Sequence, residues 1–197
     1  MRGRPVLAYA AIILRMPSTP SAPTAPDVPA GADGIRIRPA RTADVRAMRA
    51  LVAPLAADRV LLQKESVAYY ESVGDFVVAE RDGEMLGCGA VHVLWEDLAE
   101  IRTLAVAKAA LGQGIGSRIL ERLVERAHEL GVERLFCLTF ETEFFGRHGF
   151  APIEGQAVEP EVYAELLRSY DEGVAEFLDL ERVKPNTLGN TRMLRVL

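Results

Sequence analysis

Three strand-like runs joined by short turns restrict the fold more than any other feature of the sequence. Residues 76–79 and 85–95 are rich in apolar and β-branched residues, and the Asp82-Gly83 pair between them is typical of a tight hairpin turn. A second turn at Asp97 leads into a third run, residues 99–106. Strands that follow one another through short turns pair antiparallel, so we expect no doubly wound parallel sheet.

Helical and strand-like periods alternate through the remainder of the chain from Gly34 onward. The spacing of apolar residues predicts helices that begin at Thr42 and Ser66, and further helices over 117–130, 143–148 and 162–170. It also predicts strands over 35–39, 135–139 and 193–196. Because a strand–loop–helix unit follows the hairpins, we expect an α/β domain of the α+β kind, with a mixed, mostly antiparallel twisted sheet flanked by helices.

The composition indicates one domain preceded by a tail. The chain has 197 residues, of which 49% are hydrophobic and 26% are charged, and this length suits a single well-packed domain, residues 34–197. Residues 1–33 hold six of the eleven prolines, so we expect this Pro- and Ala-rich N-terminal extension to be extended and flexible. The longest apolar run has nine residues, far fewer than the roughly 20 of a membrane-spanning helix.

Net charge and cysteine content argue against several classes of function. A net charge of −5 disfavours a general nucleic-acid or anionic-membrane binder. Cys88 and Cys137 make neither a disulfide framework nor a metal-ligand pattern, and the three histidines are scattered, so we predict no metal site. We therefore expect a cytoplasmic protein that binds neither nucleic acid nor membrane.

Glycines crowd the junction between the third run and the next helix. Residues 112–116 read Gly-Gln-Gly-Ile-Gly, and this glycine loop lies between a strand that ends at Val106 and a helix that begins near Ser117. Glycine permits positive φ and a close approach of the backbone, so several N–H groups at a helix N-terminus can converge on a phosphate. The spacing is not that of the dinucleotide or phosphate-loop motifs. The residues alone leave two interpretations, a phosphate cradle or a flexible turn.

Together with the preceding strand, which reads Glu-Ile-Arg-Thr-Leu-Ala-Val over residues 100–106, the glycine loop resembles the GNAT superfamily of acetyl-CoA-dependent N-acetyltransferases. The resemblance covers residues 35–150 and implies the GNAT fold, acetyl-CoA as co-substrate and no metal. It implies that backbone groups hold the pantetheine at Leu104, Ala105 and Val106, and the pyrophosphate at Gly112, Gln113, Gly114, Ile115 and Gly116. The superfamily usually has Arg or Gln where this chain has Leu111, so we expect phosphate binding to rest on backbone N–H groups, aided by Lys108 or Arg118.

Three segments look like the amino-acid N-acetyltransferases that make N-acetylglutamate for arginine biosynthesis, in their stand-alone actinobacterial form. They are residues 61–66, 138–150 and 184–194. The resemblance implies acetyl transfer to the α-amino group of a free amino acid, most of all L-glutamate, with the substrate carboxylate bound by Lys64 and Arg192. Arg can grip a carboxylate with two hydrogen bonds, whereas Lys offers a point charge. Without the resemblance, a solvated Lys64 and an Arg192 paired with a neighbouring acid are the simpler interpretation.

An amine attacks a thioester only when it is unprotonated, so the reaction needs a proton acceptor. The family's base corresponds to Glu100, which is predicted to share strand alternation with Leu104 and Val106; a surface glutamate at the strand end is the alternative. Thr139 matches a hydroxyl-bearing position of the amino-acid acetyltransferases and is our candidate proton donor, because the usual Tyr is Phe145 here. No Cys–His pair has a suitable spacing, so we expect direct transfer without an acetyl-enzyme.

Two other functions fit the same residues. One keeps the chemistry and changes the acceptor to L-glutamine, another amino acid or a protein N-terminus. The other is a non-catalytic acetyl-CoA-binding regulatory module, which the departures at Leu111 and Phe145 leave open. The small-molecule partners are then an amino acid and acetyl-CoA, and the resemblance allows a homodimer.

Overall fold

The computed structural model describes residues 31, 33–57, 61, 64–183 and 189–197. Nearly all of the predicted N-terminal extension lies outside the described residues, so its flexibility and the domain boundary at residue 34 stay predictions. Residues 62, 63 and 184–188, from two of the segments that carry the resemblance, lie outside them as well.

Seven strands of the described chain form one sheet in the order β1-β2-β3-β4-β5-β7-β6. They are β1 Arg36–Pro39, β2 Phe76–Arg81, β3 Glu84–Trp95, β4 Leu98–Val106, β5 Arg134–Thr139, β6 Ala151–Pro152 and β7 Thr191–Val196. β4 and β5 run parallel, and the other neighbouring pairs are antiparallel. Asp82 and Gly83 turn the β2–β3 hairpin with φ of 53° and 80°, as a type I′ turn requires. The mixed, mostly antiparallel sheet is confirmed.

The helices of the described chain are α1 Val45–Ala57, α2 Ser66–Glu71, α3 Ile115–Glu129, α4 Thr142–Arg147, α5 Pro160–Leu166 and α6 Glu172–Phe177. Three predictions need correction. The helix predicted to begin at Thr42 starts as a 3₁₀ turn over Thr42–Asp44, and the α-helix begins only at Val45. α3 begins two residues earlier than predicted, because Gly114 caps it in a left-handed conformation. The helix predicted over 162–170 ends at Leu166, and the unpredicted α6 follows it, because the Asp171 carboxylate accepts the Val174 N–H at 2.8 Å and starts a new helix.

Helices cover both faces of the sheet. α3 and α4 pack on one face, here called the α3 face, around buried residues such as Ile119. On the opposite face, the α1 face, α1 and α2 pack around Met48, and α6 packs around Phe177 farther along. The alternation of strand residues separates the two cores, so that Val77 belongs to the α3 face and its neighbour Val78 to the α1 face.

Candidate functional site

β4 and β5 pair side by side for three residues and then separate. The parallel ladder joins residues 98–100 to residues 134–136. β4 continues to Val106 and β5 to Thr139, and no ladder joins them in this described stretch. The free edge of β4 therefore offers backbone groups to which an extended ligand with amides of its own can pair. The residues predicted to hold the pantetheine, Leu104, Ala105 and Val106, lie along this edge.

A β-bulge at Thr103 disturbs the pairing of β4 with β3. Ala90 of β3 lies opposite Arg102, and Cys88 lies opposite Ala105, so two residues of β4 stand against one of β3. Thr103 has φ of 53°, which is rare for a residue other than glycine. The bulge shifts the alternation of the side chains that follow it.

This shift corrects one prediction about Glu100. Leu104 and Val106 pack on the α3 face with Ile101. Glu100 lies next to Ile101 in the strand, before the bulge, and so points to the α1 face. The predicted shared alternation of Glu100 with Leu104 and Val106 is therefore wrong, because a simple period of two ignores the extra residue.

The glycine loop turns the chain from β4 into α3. Gly112 and Gly114 have φ of 77° and 73°, which cost a residue with a Cβ about 1–2 kcal/mol. The Arg118 N–H donates to the Gly114 carbonyl at 3.2 Å and so begins the helical ladder. The amides between them, including those of Ile115 and Gly116, have no helical acceptor and lie at the positive end of the helix. This geometry is that of an anion site.

Backbone, not side chains, makes this loop a candidate binding site. The Ile115 side chain is buried in the α3-face core, so only its amide is free to act. The Gln113 Nε2 donates to the Ala109 carbonyl at 3.3 Å. A Cβ at Gly114 would meet no described atom within 4 Å, which leaves the space in front of the loop open for a ligand.

Lys108 and Arg118, the two side chains expected to help the glycine loop bind phosphate, lie in different surroundings. The Arg118 guanidinium pairs with Asp33 at 2.8 Å and donates to the Ile35 carbonyl at 2.8 Å, so it anchors the chain before β1. Leu111 is 63% exposed at the start of the loop. Lys108 lies in a 3₁₀ turn just before the loop, and its help in phosphate binding stays a prediction.

Glu100 and Arg102 form a buried ion pair on the α1 face. The Arg102 Nε donates to Glu100 Oε2 at 2.5 Å, and Arg102 NH1 pairs with Asp171 Oδ1 at 2.9 Å. Glu100 is 4% exposed, which excludes the alternative of a surface glutamate. Burial opposes the charge of Arg102, but attraction to the two carboxylates outweighs it and raises the pKa of Arg102.

Arg102 is a candidate binding residue that the sequence analysis did not select. It is 8% exposed, and its NH2 is buried without a hydrogen-bond partner among the described residues. The signal was present in the sequence, because Glu100 and Arg102 are two residues apart in a strand and therefore share a face.

Lys64 and Glu176 complete this charged cluster. Burial, followed by repulsion from Arg102, lowers the pKa of Lys64, while Glu100 and Asp171 act in the opposite direction. Lys64 is therefore not a freely solvated lysine. Burial, reinforced by repulsion from Glu100, raises the pKa of Glu176 to about 7. The cluster thus holds two cations and three carboxylates.

Arg192 of β7 reaches the α1 face from the far side of β5. Its Cζ lies 4.9 Å from the ring centre of Phe136 and 5.7 Å from that of Phe177. Its Nε and NH2 are buried without a hydrogen-bond partner in the described part of the chain. Burial lowers the pKa of Arg192 despite attraction to acids such as Glu100. A guanidinium in this condition would be stabilised by an anion.

Thr139 lies away from the charged cluster. It shares the strand face of Cys137, which is buried in the α3-face core. Its Oγ1 accepts the Glu141 N–H at 2.9 Å. Phe145, in the position of the usual Tyr, is buried in the same core. The structure therefore brings Glu100 together with Lys64 and Arg102 but not with Thr139, whose predicted role as a proton donor stays a prediction.

A pocket of about 660 Å³ opens on the α1 face between α2 and α6, and we call it the α2–α6 pocket. Lys64 and Arg102 contribute to its lining. So does His92 of β3, whose Nδ1 lies 2.8 Å from Asp75 Oδ2. The sequence analysis gave His92 no role, so its place in this pocket was not predicted.

Comparison with known proteins agrees with this geometry. Residues 46–150 match the model of the Acetyltransferase (GNAT) family. The amino-acid acetyltransferase of Mycobacterium tuberculosis is 57% identical over 164 residues, which are 82% of this chain and 94% of that protein.

Two solved structures share the fold. A crystal structure from Mycobacterium tuberculosis in complex with CoA has a TM-score of 0.79 at 57% identity, over 82% of this chain and 98% of that one. N-acetylglutamate synthase from Neisseria gonorrhoeae, complexed with coenzyme A and N-acetyl-glutamate, has a TM-score of 0.66 at 25% identity. That match covers 83% of this chain and 35% of the synthase.

The described residues contain no group of three or more His, Cys, Asp or Glu side chains placed to hold a metal ion. No described helix is long and apolar enough to cross a membrane. The free edge of β4 and the open amides of the glycine loop fit CoA. Acetyl-CoA is the acetyl donor of the GNAT family. By its fold, its glycine loop and these matches, the chain belongs to the acetyltransferase (GNAT) family.

Proposed function

We propose that the protein transfers the acetyl group of acetyl-CoA to the α-amino group of a free amino acid, L-glutamate before others, as the first step of arginine biosynthesis. The observation that carries the proposal is the set of buried guanidinium nitrogens without partners on the α1 face, in Arg102 and Arg192. Leaving such donors unpaired is costly, and a carboxylate can satisfy two of them at once.

L-glutamate has two carboxylates, and the cations are distributed to suit both. Lys64 and Arg102 line the α2–α6 pocket on one side of Glu100. Arg192 lies on the other side, above the ring of Phe136, which is paired with Glu100 across β4 and β5. A bound glutamate would therefore bring its amine close to the Glu100 carboxylate.

The place where β4 and β5 separate supports a direct reaction at Glu100. Glu100 is the last residue of the parallel ladder, and the free edge of β4 begins directly after it. A pantetheine arm along that edge, with its pyrophosphate on the glycine loop, directs the thioester toward this point. Glu100 then accepts a proton from the attacking amine, and the C–S bond breaks as the amide forms.

The state of the two cysteine thiols also supports the proposal. Burial raises the pKa of Cys88 to about 12 and holds the pKa of Cys137 well above its usual range. Neither thiol is a ready nucleophile at neutral pH, which supports transfer without an acetyl-enzyme. Thr139, or solvent in its place, supplies the proton to the leaving thiolate. A cytoplasmic location and a homodimer remain predictions.

A thiol-release assay with purified protein and acetyl-CoA tests the proposal. The panel contains L-glutamate, L-glutamine, other amino acids, short peptides and isoglutamine, which replaces the α-carboxylate of glutamate by an amide. We expect L-glutamate to react fastest and isoglutamine to remain at background. Reaction of peptides alone would show that Lys64, Arg102 and Arg192 do not bind a carboxylate. Calorimetric binding of acetyl-CoA without turnover of any amine would identify a non-catalytic module.

A further inference from the structure

A histidine–aspartate pair borders the α2–α6 pocket and takes no part in the reaction described above. The His92 Nδ1 lies 2.8 Å from Asp75 Oδ2, and both residues line the pocket. Their side chains are 28% and 32% exposed, so a bound molecule can reach them. An ionised carboxylate only accepts hydrogen bonds, so Nδ1 carries the hydrogen, and in the neutral imidazole the lone pair is then on Nε2. Asp75 thus holds His92 in the form of a base.

His92 is also the cross-strand neighbour of Glu100. The two residues are directly paired in the β3–β4 ladder, which places their Cβ atoms about 4.5–5.5 Å apart on one face. His92 alternates with Ala90, which is buried on the α1 face, and so it points to the same side as Glu100. His92 and Glu100 therefore lie side by side on one face of the sheet, with His92 in the lining of the α2–α6 pocket.

Acetylation of an amino acid removes two protons from nitrogen, because an ammonium becomes an amide that keeps one hydrogen. A proton acceptor works best when its pKa is close to the operating pH. An ordinary imidazole, with a pKa of about 6.5, takes a proton from an ammonium more readily than an ordinary carboxylate with a pKa of about 4.3. The carboxylate suits the second proton, because the nitrogen becomes far more acidic once it is bonded to the acyl carbon.

We propose that His92, oriented by Asp75, accepts the first proton from the substrate ammonium, and that Glu100 accepts the second. The inference rests on the proposed function. The N–H bond breaks with its electron pair left on nitrogen, and the proton bonds to His92 Nε2. The neutral amine then bonds to the thioester carbon, its second proton passes to Glu100, and the C–S bond breaks. The CoA thiolate takes its proton from Thr139 or solvent, as proposed above, and the protons on Glu100 and His92 pass to solvent.

The pocket's charges favour this order of events. An imidazolium formed at His92 faces charged groups from every element around the pocket: Lys64, Glu65 and Glu71 from α2 and its approach, Asp75 before β2, Glu100 and Arg102 of β4, and Asp171 and Glu172 at the start of α6. The acids outnumber the cations among them. The nearest of them, Asp75, is in direct hydrogen-bond contact with the His92 Nδ1.

The test is the pH dependence of kcat/KM for the amino acid, measured from pH 6 to 10 in the whole protein. We expect His92→Gln to lose about 10²-fold at pH 7, as for a general base. The loss should fall below tenfold at pH 10, where the substrate arrives as the free amine. Glu100→Gln should have a reduced kcat/KM at both pH 7 and pH 10. Asp75→Asn should lose less than His92→Gln at pH 7, because the imidazole remains and only its orientation is no longer fixed, and this loss too should shrink toward pH 10.

His128→Gln is the matched control, because His128 is exposed near the end of α3, and it should reproduce the wild-type profile. Acetyl-CoA binding by calorimetry shows that each variant is folded, and Asp75→Asn serves if His92→Gln does not fold. A loss in His92→Gln that is equal at every pH, or no loss, overturns the inference while the proposed function stands. A wild-type protein that acetylates no amino acid overturns both.

Discussion

Gly173 of α6 lies against Arg102 of β4 so closely that a Cβ on Gly173 would stand 2.5 Å from the Arg102 Cζ. The missing side chain at residue 173 is what lets the guanidinium reach Asp171 and Glu100 together. We expect Gly173→Ala to displace the guanidinium and to raise the KM for the amino acid about 10–100-fold, the value of one charge-assisted hydrogen bond. Steady-state kinetics with each substrate varied in turn checks this.

Gly146→Ala is the control for that change. A Cβ at Gly146 would meet no described atom within 4 Å, and Gly146 is not among the glycines with positive φ. Both KM values should stay within twofold of wild type. An equal rise of both in Gly173→Ala would show that Gly173 serves only the packing of α6.

Gly114→Ala should weaken acetyl-CoA binding without a matching loss of the fold. The left-handed residue costs about 1 kcal/mol once it carries a Cβ, and the Cβ points into open space in front of the proposed pyrophosphate site. Gly131→Ala at the end of α3 introduces the same strain, with φ of 78° and an equally open Cβ among the described residues. Calorimetry should show similar melting temperatures for the two variants. The Kd for acetyl-CoA should rise in Gly114→Ala alone.

Lys64→Met should raise the KM for the amino acid and leave the KM for acetyl-CoA unchanged. The substitution keeps the buried alkyl stem and removes the charge that faces Glu100 and Arg102. Because burial lowers the pKa of Lys64, the charge costs the empty protein stability below that lowered pKa. The free protein should therefore melt at a slightly higher temperature in Lys64→Met at pH 7. An effect confined to acetyl-CoA would contradict the proposed role.

Glu176→Gln should stabilise the protein at pH 8 and not at pH 4.5. The pKa of Glu176 is raised from 4.5 to about 7, so the folded state holds a proton that the unfolded state has lost between those values. Stability is lost as pH rises through this window, and the ionised carboxylate costs about 1–3 kcal/mol above it. Thermal melts at both pH values measure the difference. Glu172 is exposed on the same helix, so Glu172→Gln should show no such difference in stability between the two pH values.

Six of the seven strands could be located along the chain from sequence because their signals are local, whereas the two-residue β6 was not predicted. Asp82-Gly83 needs no distant contact to turn a hairpin, and the β-branched run through residue 106 needs none to favour a strand. The glycine loop was located for the same reason, since positive φ is a property of the residue itself. The prediction that this loop binds the coenzyme came from the resemblance to a family.

The residues around the proposed amino-acid site could not be predicted from local sequence signals. The bulge at Thr103 is visible only when β3 and β4 are paired, and it reverses the side on which Leu104 and Val106 lie relative to Glu100. Nor does any local pattern join His92 to Asp75, which are 17 residues apart. α6 is too short to be predicted from periodicity, yet its N-cap residue Asp171 pairs with Arg102, and its Glu176 belongs to the same charged cluster.

The α2–α6 pocket takes part of its wall from residues 170–173, beyond the stretch of 46–150 that matches the family model, whereas the glycine loop and the edge of β4 lie inside that stretch. Under the proposed function, recognition of the acyl donor and choice of the acceptor are therefore encoded in partly separate regions of the gene. Substitutions in the C-terminal region can then change which amine is accepted, while the glycine loop and the edge of β4 stay the same.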